Sequence, residues 1–488
     1  MKRIICTFLI AFLLISSHAN GQSGQGSASF KAGAATSTIT PKIGYSINGN
    51  MQDVTVRNVH DDIHARAIVL DDGHTQLGFV VLDLCMVYRE TLDKAKKRAS
   101  EFTGIPVENM MMSATHTHSA GTACGVFQSD PTPEYQEFLV ERAADALIRA
   151  YENRVPAKIA WGVGKEDSEV FNRRWYLKPG TPMPNPFGGQ DKVKMNPGLG
   201  NPNKVKPAGP TDTEVPTMMV QTLDGKPIAL LANYSLHYVG GTGPGEISAD
   251  YYGRFADHIG ELLQAKKEPG SPYFVGVMSN GTSGDINNIN WPSDKMESFG
   301  PYEKMNTVAK KVANASYAAI KDAPTQNWVS LAAKQTELTL GVRKPNAAEI
   351  KRAEQIVAKA EGPTMKSLEE IYARETLLMK DYPDNVNILL QVFRIGDLAI
   401  TAIPAEVFVE IGLELKAKSP FKPTFNIELA NGYNGYLPTP AQHRLGGYET
   451  WRARSSYLEE NASDKILKSL FDLLAKHKAQ QNNATAKN

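Results

Sequence analysis

Cysteine is scarce, three in 488 residues, and no CxxC pair occurs, so neither a disulfide scaffold nor a cysteine-based zinc site is encoded. Charge of either sign is not in excess: 53 Lys and Arg stand against 52 Asp and Glu, a net of +1. That balance excludes the strong basic bias of a nucleic-acid binder. Past the first residues no run is long and apolar enough to span a bilayer, which needs about 20 residues. No internal repeat appears, and no linker marks a second domain. What remains, with 42% hydrophobic residues, is a chain able to bury one large core.

The first residues read differently from the rest. Lys2 and Arg3 precede the apolar run Ile4 to Ile15, and small polar residues follow. This order is that of a cleavable signal peptide, here residues 1–21, with cleavage after Ala19 or Gly21. Cys6, inside the run and preceded by Ile5, does not read as a lipid-anchored cysteine. The mature protein is therefore expected to be secreted or periplasmic. Export leaves Cys85 and Cys124, for which a disulfide and two buried thiols both stay open.

Apolar patterning divides the chain into strands and helices. Thr75–Val87 reads as a buried strand, Arg89–Gly104 as an amphipathic helix and Val107–His118 as a second strand. Such a β-α-β unit makes its two strands parallel neighbours, and ligands gather beyond their carboxyl ends. Helices are expected over 133–154, 248–265, 302–322, 346–360, 366–380, 407–418 and 463–476, and hairpins at Asp224-Gly225 and Gly396-Asp397. The paired helices about Gly362 should form a peripheral hairpin. Residues 178–210, dense in Pro, Gly and Asn, are expected to be a surface loop that shapes a cleft. The expected fold is α/β: mixed sheets flanked by helices, one large domain over 22–478, then a disordered tail over 479–488.

Several strands end in polar loops: at His116 and His118, at His237, over Ser279–Asn290, at Glu406 and at Tyr433 and Tyr436. Alternation in an extended chain points His116 and His118 to one side. Two or three histidines, a carboxylate and an open position make a hydrolytic zinc site. Read singly, each residue has a plainer explanation. His237 suits a hydrogen-bonded structural role, Glu406 a helix N-terminus, and Tyr436 a packed aromatic.

The segments "SATHTHSAG", "FNRR", "ALLANYSLH", "SNGTSGDINNI", "IPAEVF" and "ANGYNGYLPTPAQHRLGGYE" occur in that order. Together, over roughly Lys31 to Leu458, they resemble the catalytic domain of the neutral/alkaline ceramidases, zinc-dependent amidases that split ceramide. The resemblance implies zinc ligands at His116, His237, Glu406 and Tyr436. It makes His118 a neighbour to water or substrate and plausible proton acceptor. Arg173 would meet the substrate's polar head or the product carboxylate, and Tyr448 the oxyanion. Asn287 stands where that family carries a serine. A carboxamide is no nucleophile, so Asn287 at most orients substrate, and zinc-activated water must attack. About 40 residues follow Tyr448, room for a helix and a tail in place of that family's immunoglobulin-like domain. The implied activity is hydrolysis of an N-acyl amide in a lipid or small molecule. Its rivals are deacylation of a glycan or other N-acyl compound, and a non-catalytic binding protein.

Overall fold

The computed structural model describes residues 29–265, 273–295 and 297–485. The expected signal peptide, residues 1–21, lies outside them. The larger sheet contains β1 (Lys31–Thr38), β2 (His64–Asp71), β3 (Gln76–Leu82), β4 (Met110–Ala114), β5 (Val155–Lys165), β6 (Glu214–Thr222), β7 (Pro227–Tyr234) and β8 (Val275–Asn280). Their order is β8-β7-β6-β5-β1-β2-β3-β4. The β3/β4 and β7/β8 pairs at its two edges are parallel and the pairs between them antiparallel. A second sheet has β9 (Leu331–Gly341), β10 (Asn385–Ile395), β11 (Leu398–Ala402) and β12 (Thr424–Ile427) in sequence order.

Side-chain alternation assembles these sheets into layers. On β2 and β3, Ile68, Leu70, Leu77, Phe79 and Val81 face one core, while Ala65, Ala67, Val69, Val80 and Leu82 face another. On β10 and β11, Phe393, Ile395, Leu398 and Ile400 join the first core, and Leu390, Val392 and Ala399 face away. The two sheets thus share a central apolar layer, in which the Phe79 and Phe393 rings lie 5.1 Å apart. The larger sheet curls until β8 touches β2, β3 and β4.

Helices cover the outer faces. α1 (Arg89–Thr103) and α2 (Pro133–Glu152) pack on the outer side of β1–β4 through Leu92, Ala95, Leu139 and Leu147. α3 (Asp250–Leu262) and α4 (Glu303–Ile320) cover β6–β8 through Phe255, Ile259, Met305 and Val312. α5 (Ala347–Val357) and α6 (Leu368–Lys380) form the expected hairpin, each opened by a capping box, Asn346/Glu349 and Ser367/Glu370. α7 (Val409–Lys418) and α8 (Ala462–Thr485) cover the second sheet. α1 stops at Gly104, whose φ of 71° lets its N–H return to the Ser100 carbonyl. The described residues form one α/β domain, with no separate immunoglobulin-like unit and no helix long and apolar enough to cross a membrane.

Two expectations need correction. Residues 178–210, expected to be a surface loop throughout, also carry short strands: Lys194–Met195 and Lys204–Pro207 pair with Arg174–Leu177 in a small sheet. The tail expected to be disordered is helical to Thr485. Its anchor is His477, buried in α8, whose Nε2 donates to the Val392 carbonyl at 3.0 Å, with Gln481 reaching Asp397 Oδ1 at 2.9 Å. Burial lowers the His477 pKa from 6.5 to about 4. The native state therefore keeps it neutral where the unfolded chain binds a proton. Its contribution is complete above pH 6.5 and fades as pH falls toward 4. Urea unfolding at pH 7.5 and pH 5 should show the parent losing about 1–2 kcal/mol more than H477Q across that interval.

Candidate metal centre

His116 follows β4 by two residues. Its backbone N–H binds the Leu84 carbonyl at 2.8 Å, and its φ of 78° is left-handed, which costs a non-glycine residue about 1–3 kcal/mol. The turn breaks the extended alternation expected of "HTH". The two imidazoles still converge, with their Nε2 atoms 3.2 Å apart and rings edge-on. His237 follows β7, and its Nε2 lies 3.0 Å from that of His116. Glu406 belongs to a two-residue strand, Glu406–Val407, paired in parallel with Tyr436–Leu437. It precedes α7 but does not cap it. Glu406 Oε2 stands 3.2 Å from His116 Nε2 and 3.7 Å from His237 Nε2. All three residues are buried.

The far end of each side chain is held. His116 Nδ1 donates to the Cys85 carbonyl at 2.9 Å, and His237 Nδ1 to the Ser283 carbonyl at 3.0 Å. These bonds put the hydrogens on Nδ1 and turn the Nε2 lone pairs toward each other. The Tyr433 hydroxyl donates to Glu406 Oε1 at 2.9 Å, while Oε2 has no hydrogen-bond partner. Three acceptors therefore face one point. A single proton on His116 could answer one contact at a time; a cation answers all three. Donors around one tetrahedral zinc stand roughly 3.3–3.6 Å apart, and the separations of 3.0, 3.2 and 3.7 Å bracket that range. The cluster fits a metal ion. Burial disfavours charge on His116, yet Cys85 and Glu406 raise its pKa well above the usual imidazole range; the same field attracts a cation. Burial and nearby positive groups hold His118 and His237 well below it.

Tyr436 is Glu406's partner in the strand pair, and its hydroxyl accepts from Arg173 Nη2 at 3.1 Å. Burial and the Glu406 charge push this phenol well above its ordinary pKa, and Arg173 pulls the other way. Arg173 also donates to the Gly284 carbonyl at 2.8 Å and to Glu449 Oε1 at 2.9 Å, while Arg174 takes Glu449 Oε2 at 2.6 Å. The Tyr448 ring packs edge-on against Tyr436, centroids 5.7 Å apart. It also lines a cavity of about 330 Å³ with Met51, Met183, Val193, Met195 and Trp451. Much of that wall belongs to the 178–210 segment, which does shape a cleft. Asn287 lies in a two-residue strand, Ile286–Asn287, paired with Phe171–Asn172 just before Arg173, but its amide is spent locally: Oδ1 accepts from Trp291 Nε1 and Ile289 N, and Nδ2 donates to Asn196. Both later cysteines are buried free thiols, which decides between the two readings of that pair.

Sequence reasoning missed the groups that aim the candidate ligands. Two are main-chain carbonyls, which leave no trace in residue type. Tyr433, three residues before Tyr436 in "GYNGY", stands out in the sequence as a strand-end residue, but its bond to Glu406 does not. His118 is held between two elements that no motif announced. The Tyr238 ring stacks on it at 3.7 Å, and Gly49 lies against it.

No family model matches the sequence. Two solved structures share the fold. The neutral ceramidase from Pseudomonas aeruginosa aligns with a TM-score of 0.67 at 17% identity, over 92% of this chain and 74% of that one. A ceramidase complexed with C2 aligns with a TM-score of 0.67 at 16% identity, over 93% and 76%. At such identity the likeness establishes a ceramidase-like fold over most of the chain.

The Gly49 contact yields a test of this packing. Its φ is 101°, and a Cβ there would sit 2.5 Å from His118 Cγ. G49A should cost about 1–3 kcal/mol in a chemical denaturation curve, since both strain and displacement of the ring oppose it.

Proposed function

We propose that the chain is an exported zinc-dependent hydrolase that cleaves an N-acyl amide. The observation that carries this reading is the convergence of His116 Nε2, His237 Nε2 and Glu406 Oε2 within 3.7 Å of one another. His116, His237 and Glu406 would hold the ion, and Tyr436, paired with Glu406 in the strand pair, would be the fourth ligand. A zinc ion in such a site supplies a Lewis acid for a carbonyl and brings the pKa of water down to about 7.

The chain's own groups divide the remaining work. His118, kept neutral by burial and clamped by Tyr238, holds its Nε2 3.2 Å from His116 Nε2, where it would take the proton that attack by water releases. Tyr448, on the wall between the cluster and the cavity, donates to the oxyanion that develops on the acyl oxygen. Arg173 meets the substrate's polar part. Met51, Met183, Val193, Met195 and Leu368 make the cavity mainly apolar, which suits an acyl chain. The ceramidase-like fold supports the amide over other acyl bonds. Export rests on the leader-like residues 1–21.

Metal analysis by mass spectrometry, before and after chelation, combined with a panel of ceramide analogues and N-acetylated sugars, tests the proposal. The expected result is one zinc per chain, amidase turnover lost on chelation and regained with zinc, and no zinc retained by H237A or E406A. Zinc without turnover on any acyl substrate would mark a binding protein. Absence of zinc from the purified parent would sink the reading.

A further inference from the structure

Glu428 is fully buried at the end of β12, and no step described above uses it. Its carboxylate accepts three hydrogen bonds. Oε1 takes the Ser283 hydroxyl at 2.6 Å, and Oε2 takes the Ser283 N–H at 3.2 Å and the Val407 N–H at 2.7 Å. Ser283 is the residue whose carbonyl receives His237 Nδ1. Val407 directly follows Glu406. The two segments also meet through Gly284 N, which donates to the Val407 carbonyl at 2.9 Å. One carboxylate therefore joins the segment that orients His237 to the segment that carries Glu406.

The surroundings show how firmly it is placed. The Glu428 N–H donates to the Asn280 carbonyl at the end of β8, and the Leu429 N–H to the Ala405 carbonyl, just before Glu406. Leu429 and Asn431 adopt left-handed φ values of 52° and 63°. Two such non-glycine residues so close together are a local cost that neighbouring bonds must offset. They turn the chain between the β8 end and the 405–407 segment, which leaves the carboxylate facing Ser283 and Val407.

We infer that Glu428 is a positioning residue for the metal centre: it sets the spacing between His237 and Glu406 by clamping Ser283 and Val407 to one carboxylate. It touches neither substrate nor ion. Outer groups of this kind govern metal affinity, and their loss weakens binding about 10–100-fold. The three donors need acceptors on both oxygens. A carboxamide offers one, so in E428Q either the Ser283 hydroxyl must turn to accept from the amide NH2 or the two N–H groups lose their acceptor. S283A removes the hydroxyl arm and leaves both N–H bonds.

This inference rests on the proposed zinc site, and the experiment separates the two. Zinc affinity is measured by competition with a chromogenic chelator, and cobalt-loaded samples are read by their visible absorption. Thermal unfolding of the metal-free proteins is followed in parallel. For E428Q we expect zinc bound about 10–100-fold more weakly and an altered cobalt spectrum, with cooperative unfolding retained; S283A should shift affinity the same way by less. If the parent binds zinc and both variants bind it within threefold of the parent, Glu428 is a fold residue only and the inference is overturned. Should E428Q not fold, S283A decides by the same criterion. A parent that takes up no metal overturns the inference together with the function it rests on.

Discussion

The structure turns on the convergence of buried imidazoles and one buried carboxylate at a single point. Two imidazole lone pairs and a carboxylate oxygen meet at 3.0–3.7 Å in a site closed to bulk water. Left to themselves, flexible side chains would rotate apart. Here each is fixed from behind, by the Cys85 carbonyl, the Ser283 carbonyl and the Tyr433 hydroxyl. The scaffold thus holds an arrangement of ligand atoms that would fit a divalent cation. Such preorganisation needs rigid supports, because a shift of about 1 Å in one group would dissolve it.

The two-sheet core supplies that rigidity. His116 leaves the end of β4 and His237 the end of β7, strands separated by five others in the same sheet. They meet because the sheet curls and because the second sheet sends its own connections into the gap. Residues 403–407 and 428–436 come from that second sheet, and they lie between the ends of β4 and β8: Ala114 N bonds the Leu429 carbonyl, and Glu428 N the Asn280 carbonyl. The left-handed residues at 116, 429 and 431 are the joints of this assembly. Strain at such joints is tolerable where a large core over-determines the backbone.

Much of this architecture is readable from residue order. Period-two alternation marks the strands, and the β3-α1-β4 unit makes its strands parallel neighbours. Gly104, Gly225 and Gly396 mark real turns and caps. The candidate ligands were also reachable, though for His116 and His118 the reason was wrong: a left-handed turn, not strand alternation, converges them. Glu406 looked like a helix-terminal acid because α7 begins three residues later, whereas a two-residue strand pair with Tyr436 decides its direction. Residues 178–210 read as loop alone because their strands are two and four residues long, too short for any period to register. The polar tail hid a helix because its anchors, His477 and Gln481, act through single contacts with β10 and the β10–β11 turn instead of through an apolar stripe. Carbonyl partners cannot be read from a sequence at all, since every residue has one.

The walls of the site are chemically unequal, and that inequality has a consequence for how a substrate lies. On one side Arg173 and Arg174 share the single carboxylate of Glu449, a buried group with one positive charge in excess beside the Tyr436 hydroxyl. On the other, the cavity past Tyr448 presents mostly Met, Val, Leu, Pro and Trp side chains with Lys194, and its Asp191 is already occupied by Trp451 and Asn185. An acyl chain loses least by lying in the cavity, and a polar carbonyl gains most near the guanidinium and the candidate ligands. Both preferences select one orientation, with the acyl carbon between them. Tyr448 borders both regions, so on the proposed reading the oxygen of that carbonyl would lie within reach of its phenol. On the proposed reading, bond selectivity is then a matter of where the apolar wall ends.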